Sequence, residues 1–356
     1  MKKPVAFMVA GLLVFILYLH VFVGFAEIAG ILQRVNPTQY LAYYSLTVAA
    51  IVLSVLFHSM VWHELLKALS VNIGLKKAFL FSWIGNFVDL VVPLEAVSGE
   101  VTRGYLVHNY LKCRFGETIA SLVLQRIISV LTVLTGLVAS SVYVILRYRV
   151  EPAILYLLVA VAGGTAAMIM GLLYLSLKEE AARKLVNVLI GVAGVITRNR
   201  SKLAELRRKA EQALGAFHQG VKTYGRSPKY LVKPLAYSYV SWFFYMTIYF
   251  LVFYALGFEE AAVYIPQMIV VFSISLAVQT MPLAFPVGLV EIVMTSLYVV
   301  FGIPTATSGV ATTLIRVVTF WFQILVGYAV VQWVGIKHVL SRNNKTESLN
   351  QGAGSR

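Results

Sequence analysis

Two arginines and two glutamates lie in apolar surroundings where charge is costly, and they are the residues most able to do chemistry: Arg126, Arg316, Glu100 and Glu291. Arg316 stands about 18 Å into a helical stretch bounded by Pro304 and Lys337, at a rise of 1.5 Å per residue, which places it near the bilayer centre. An uncompensated arginine there costs at least about 2.5–3.5 kcal/mol. Arg126 lies roughly 13 Å past Glu117, close enough to one end to snorkel. Planar guanidinium forks suit a phosphate better than lysine does, so the pair could hold a phosphate-bearing headgroup. They could equally be fixed buried ion pairs, Arg316 with Glu291 and Arg126 with Glu100 or Glu95. A pair that opens to admit an anion would satisfy both readings and act as a gate.

Glu100 and Arg103 are three apart and share a helical face, either in the site or as a surface pair near the cytoplasm. Asp89 is a weaker candidate of the same kind as Glu100. His58, His63 and Glu64 lack the H-E-x-x-H spacing, so interfacial anchoring is expected there and no metal site. Neither a Ser/His/Asp order, nor a Gly-rich nucleotide loop, nor a Cys/His cluster occurs. No catalytic residue and no cofactor are therefore assigned. Cys113 is the single cysteine and cannot form an internal disulfide.

The elements that must position these charges follow from composition. The chain has 356 residues, 59% apolar and 13% charged, with a mean hydropathy of +0.80. Soluble domains carry about 25% charged residues, so a water-soluble enzyme is excluded and a polytopic membrane protein is indicated. Spanning helices are predicted at about 4–26, 40–70, 117–147, 152–177, 230–256 and 305–338. The first lacks a small-x-small cleavage pattern and reads as a helix, not a secretory signal.

Two further apolar stretches, about 78–110 and 261–302, are broken midway. One break is Pro93-Leu-Glu-Ala-Val-Ser-Gly-Glu100; the other is Pro282-Leu-Ala-Phe-Pro-Val-Gly-Leu-Val-Glu291, which also contains Pro286. Each half is too short to cross, and a re-entrant helical hairpin is the natural solution. The fold class expected is all-α: six spanning helices plus two re-entrant hairpins.

The two breaks sit in matching frames. Pro93 is followed six residues later by Gly99 and 33 later by Arg126, and Pro282 six later by Gly288 and 34 later by Arg316. Gly136 and Gly327 then follow their arginines by ten and eleven residues. This reads as an inverted-topology repeat, about 40–147 and 230–338, as in many transporters. Broken helices leave backbone groups that lipid does not satisfy, so such breaks must line protein or a wet cavity, and helix N-termini facing it favour anions.

Thirty Lys+Arg against fifteen Asp+Glu leave a net charge of +15. Residues 178–233 hold thirteen Lys/Arg and four Glu, a net +9, which orients that loop and both termini to the cytoplasm. Arg147 and Arg149 are exceptions on the outer side. Within the loop Leu203, Leu206, Ala210, Leu214 and Phe217 form one face of a basic amphipathic helix, either a topological anchor on anionic headgroups or a collector of anionic lipid. Residues 1–340 make one transmembrane domain with this loop at 178–230, and 341–356 read as a disordered cytoplasmic tail. Nucleic acid is not an expected partner.

Pro93-Leu-Glu-Ala-Val-Ser-Gly-Glu-Val-Thr-Arg103, Leu124-Gln-Arg-Ile-Ile-Ser129, Phe285-Pro-Val-Gly-Leu-Val-Glu291 and Leu314-Ile-Arg316 together resemble the lysylphosphatidylglycerol synthase transmembrane, or flippase-like, family. Gln125 stands where the family's pattern has Glu before Arg, and the second hairpin is poorer in glycine than that pattern. The resemblance implies movement of a lipid between leaflets, aminoacylated phosphatidylglycerol being the familiar cargo of two-domain members. No stretch long enough for their soluble synthase domain is visible, so a stand-alone membrane region is expected.

The leading expectation is a flippase or transporter in the plasma membrane for an anionic or phosphate-bearing lipid, either a phospholipid or a polyprenyl-phosphate-linked lipid. Its substrate-binding residues would be Arg126, Arg316, Glu100, Glu291, Arg103, Gly99 and Gly288, with hairpin breaks at Pro93, Pro282 and Pro286. Membrane lipids, a second copy or a separate lipid-modifying enzyme are the partners to expect. The alternatives are a membrane enzyme acting on a lipid phosphate and a non-catalytic scaffold.

Overall fold

The computed structural model describes residues 13–92, 98–111, 113–148, 151–196, 200–280 and 286–335. Every regular element among them is helical: α1 (13–23), α2 (Phe25–Arg34), α3 (Pro37–Ala68), α4 (Leu75–Val91), α5 (Ser98–Leu111), α6 (Phe115–Arg147) and α7 (Pro152–Leu177) lead into α8 (Glu179–Ile196) and α9 (Arg200–Arg226). These are followed by α10 (Lys229–Ala255), a short 3-10 turn (Glu259–Ala262), α11 (Ile265–Thr280), α12 (Pro286–Val300) and α13 (Thr305–Gly335). The chain is an all-α polytopic membrane protein. Among the described residues α3, α6, α7, α10 and α13 are each long and apolar enough to cross a bilayer. Their ends match the expected spans to within three residues.

The first expected span, 4–26, is a bent pair of helices that is long and apolar enough to cross when taken as one span. Residues 4–12 lie outside the described part, and the chain bends by 85° between Leu13–Val21 and Phe25–Ile31. The bend is at Gly24, whose φ of 85° is a left-handed conformation that glycine adopts cheaply. The segment after it, Phe25–Arg34, is amphipathic, with Glu27 and Arg34, whereas the one before it is predominantly apolar.

Local chemistry explains the helix starts. The Asn36 side chain accepts from the Thr38 and Gln39 N–H groups, at 3.0 and 3.3 Å, and Pro37 takes the first helical position, where no N–H is needed. Pro152 opens α7 in the same way.

The two interrupted stretches each form two helices. α4 and α5 have 17 and 14 residues, and α11 and α12 have 16 and 15. At 1.5 Å per residue all are shorter than the roughly 30 Å hydrocarbon core. Pro93 and Pro282 fall outside the described residues, whereas Pro286 is the first residue of α12.

The centre is the seam between α3 and α10. Gln39 bonds the Tyr254 carbonyl, Tyr43 packs edge-on against Tyr254, Ser54 and Ser241 bond each other, and Phe57 stacks on Phe244. From Gln39–Tyr254 through Ser54–Ser241 to Phe57–Tyr237 the numbers rise on one helix as they fall on the other, so α3 and α10 run antiparallel. Each serine hydroxyl donates to the other's carbonyl, at 3.0 and 2.9 Å, and small residues of this kind let two membrane helices approach closely. On α6, Thr132 bonds Ser238 at 2.9 Å and Gly136 accommodates the Trp242 ring, where a Cβ would meet Cζ2 at 2.6 Å. The basic α9 is packed against this bundle. Its Tyr224 hydroxyl donates to the Leu65 carbonyl at 2.8 Å, and Gly116 of α6 lies directly under the Ala213 carbonyl. Burial raises the Tyr224 phenol's pKa above its ordinary value.

Candidate functional site

The first hairpin closes by backbone approach. A Cβ on Gly99 would overlap the Gly85 carbonyl and the Asp89 carboxylate, and one on Gly85 would meet the Arg103 side chain at 2.8 Å. Asp89 of α4 is spent at this crossing. Its Oδ1 accepts from the Gly99 N–H at 2.7 Å and from the Ser98 hydroxyl at 3.2 Å, satisfying donors at the α5 N-terminus that would otherwise be orphaned.

With the α5 terminus supplied by Asp89, Glu100 is left to face α6. Arg126 Nη1 lies 3.3 Å from Glu100 Oε1, and both side chains are about a fifth to a quarter exposed. Arg103, one turn further on, is buried at 5% exposure and is no surface residue. Its Nη1 donates to Gln125 Oε1 at 3.0 Å, its guanidinium lies 5.2 Å from the Trp62 ring centroid, and its Nε has no partner. Gln125 in turn donates to the His58 carbonyl at 2.8 Å. A neutral amide here holds Arg103 in place without neutralising it. The carboxylate of the family's pattern would cancel its charge.

These groups form one wall of a cavity of about 350 Å³. Asp89, Glu100, Arg103, Arg126 and His58 supply its charged and titratable lining. Away from them it is lined by hydroxyls and rings: Ser54, Ser129 and Thr132, then Trp242, Tyr245 and Phe272. Ser129 Oγ and Trp242 Nε1, like Arg103 Nε, are buried without a hydrogen-bond partner. Buried donors lacking partners are rare in folded proteins. Three around one cavity are what an acceptor-rich headgroup would satisfy.

The second hairpin places its residues differently. Arg316 Nε donates to Glu291 Oε1 at 2.7 Å, and Glu291 Oε2 accepts from the Gly288 N–H at 2.6 Å. Arg316 also lies over the Phe320 ring, 4.5 Å from its centroid, at the start of a π-helical turn, Val317–Phe322. The two side chains are only 6% and 3% exposed. Gly288 has φ 92°, and that kink aims its N–H at Glu291. Arg316, Glu291 and Gly288 do not line the cavity, and Gly99 reaches it only through its neighbours.

The structure thus brings together Arg126, Glu100 and Arg103 of the expected set and holds Arg316, Glu291 and Gly288 apart from them. It joins to them Asp89, the weaker candidate, and adds Gln125 and the hydroxyl-bearing lining; His58, expected as an interfacial anchor, lines the cavity instead. A sequence signal for these existed, because Ser54 and His58 on α3 and Arg126 and Ser129 on α6 are spaced three or four residues apart, a polar stripe down an apolar helix.

The sequence profile of the lysylphosphatidylglycerol synthase TM region matches residues 8–327. The chain belongs to that family. A UPF0104 membrane protein of Methanothermobacter thermautotrophicus is 22% identical over 315 residues, which covers 88% of this chain and 90% of that one. A UPF0104 membrane protein of Pyrococcus horikoshii is 23% identical over 286 residues, or 77% of this chain and 82% of its own. No solved structure matches the chain. For this member of the family, membership supports a membrane protein related to lipid handling.

Proposed function

We propose that the chain moves a phosphate-bearing anionic lipid between membrane leaflets, with the headgroup in the α3–α6–α10 cavity and the acyl or prenyl tail left in lipid. The observation that carries this reading is a cavity within a bundle of membrane helices whose charged wall holds a partly exposed arginine, Arg126, beside a buried one, Arg103. Phosphate oxygens accept from guanidinium groups in bidentate fashion, and a low-dielectric wall strengthens that contact. The Arg126–Glu100 contact at 3.3 Å is the one a phosphate would replace.

The +9 loop supports cytoplasmic termini in this reading, with α8 and α9 lying at the inner surface of the plasma membrane near anionic headgroups. The chain acts as a transporter and carries out no chemistry on the lipid. A second copy or a separate lipid-modifying enzyme would be its protein partner.

A leaflet assay tests this: proteoliposomes containing headgroup-labelled anionic phospholipid are exposed to a membrane-impermeant reductant. Wild type is expected to expose the inner-leaflet label, and Arg126→Ala to behave as empty liposomes do. Equal rates for wild type, Arg126→Ala and empty liposomes would overturn it, and headgroup products in mass spectra would point to an enzyme instead.

A further inference from the structure

The charged groups on the cavity wall come from four helices. His58 is on α3, Asp89 on α4, Glu100 and Arg103 on α5, and Arg126 on α6. With His58 neutral these described groups sum to zero, two cations against two carboxylates. Among the described residues the lining is therefore electrically balanced before any anion enters. A phosphodiester adds one negative charge to a space walled by membrane helices, where an unbalanced charge costs several kcal/mol or shifts a protonation equilibrium instead.

Between the two carboxylates, geometry decides which can take up the compensating proton. Asp89 is committed to the Gly99 N–H and the Ser98 hydroxyl, at 2.7 and 3.2 Å, and its work at the α5 N-terminus does not change when an anion enters. Arg103, held by Gln125 and the Trp62 ring, already carries its proton and has no acceptor for another. Glu100 differs from both. It has the long ion-pair contact, 3.3 Å, and it faces the cation that the phosphate would take. A phosphate on Arg126 displaces that carboxylate and leaves it beside an anion of like charge.

We propose that Glu100 takes up one proton when the phosphate of the lipid binds Arg126, so that lipid movement is coupled to proton movement in the same direction. This rests on the transport reading above. The proton comes from water and forms an O–H bond on Glu100, the Arg126–Glu100 contact breaks, and the phosphodiester accepts from Arg126. One negative charge and one positive charge have then entered the cavity, and the occupied site is again neutral. By linkage the effect is reciprocal: proton uptake frees Arg126 for the lipid as much as the lipid favours the proton.

Two measurements on the full chain in proteoliposomes test the coupling. The first is binding of headgroup-labelled phosphatidylglycerol at graded pH. Wild type is expected to bind about tenfold more weakly per unit rise in pH above the Glu100 pKa in the lipid-free state, the slope for one proton taken up. Glu100→Gln is expected to bind with no slope, while Glu100→Asp and His58→Gln keep it. The second is the internal pH, read by an entrapped dye, as unlabelled lipid is moved. Wild type is expected to carry protons with the lipid and Glu100→Gln to carry none. Lipid movement by wild type with a flat pH profile and no proton flux would overturn the coupling alone. A slope lost in His58→Gln but kept in Glu100→Gln would move the proton to the histidine and also overturn it. Absence of lipid movement by wild type at every pH would instead sink the transport reading, and the coupling with it.

Discussion

The two hairpins use the same residue types, a glycine, a glutamate and a later arginine, and reach opposite outcomes. In the second, Glu291 does two jobs at once, accepting from the Gly288 N–H of its own helix start and from Arg316. Both of its oxygens are spent and the pair is sealed. In the first, the jobs are divided: Asp89 accepts the helix-start N–H, and Glu100 meets Arg126. The division leaves that ion pair on a cavity wall, with Arg103 as an additional cation behind it. A charge becomes available for function when the structural work beside it has been given to another residue.

The comparison breaks most clearly on stability. Arg316→Ala or Glu291→Gln leaves a buried charge or a buried N–H without its partner, and is expected to lower stability by about 3–5 kcal/mol. Thermal unfolding in detergent would read this, with low expression as the coarse sign. Arg126→Ala should cost less by the same measurement, because Glu100 is about a fifth exposed and can take up a proton once its partner is gone, yet abolish lipid movement. If the two arginine variants unfold alike, the distinction drawn between the hairpins is wrong.

Smaller effects sharpen the picture. Gly99→Ala forces a methyl into the Gly85 carbonyl and the Asp89 carboxylate and should cost about 1–3 kcal/mol, loosening the α4–α5 crossing. Gly288→Ala must hold an L-residue at φ 92°, for about 1–2 kcal/mol. Gln125→Glu gives Arg103 a charged partner in place of a neutral one, with a stability change near zero. It is expected to weaken phosphatidylglycerol binding several-fold, read by native mass spectrometry of co-purifying lipid.

Much of the fold was legible beforehand because hydrocarbon admits few solutions: a long uncharged run must be a helix, and Pro and Gly in its middle must break it. The pairing of Arg316 with Glu291, and of Arg126 with Glu100, was also within reach, since a charge at that depth needs an opposite one. Less legible was Arg103. Its spacing from Glu100 suggested a surface pair, but Gln125, distant in sequence, draws it inward. The corner at Gly24 was missed because a lone glycine in an apolar run does not by itself mark a bend, although Glu27 just after it was a signal.

The sequence by itself determined that this is an all-α membrane protein with two interrupted helices and two arginines that need an account, because solvation in lipid is set by composition and run length alone. Only the tertiary structure decided which arginine meets a cavity. That depends on where Asp89 falls against the α5 N-terminus, at distances of a few ångströms that no spacing along the chain encodes.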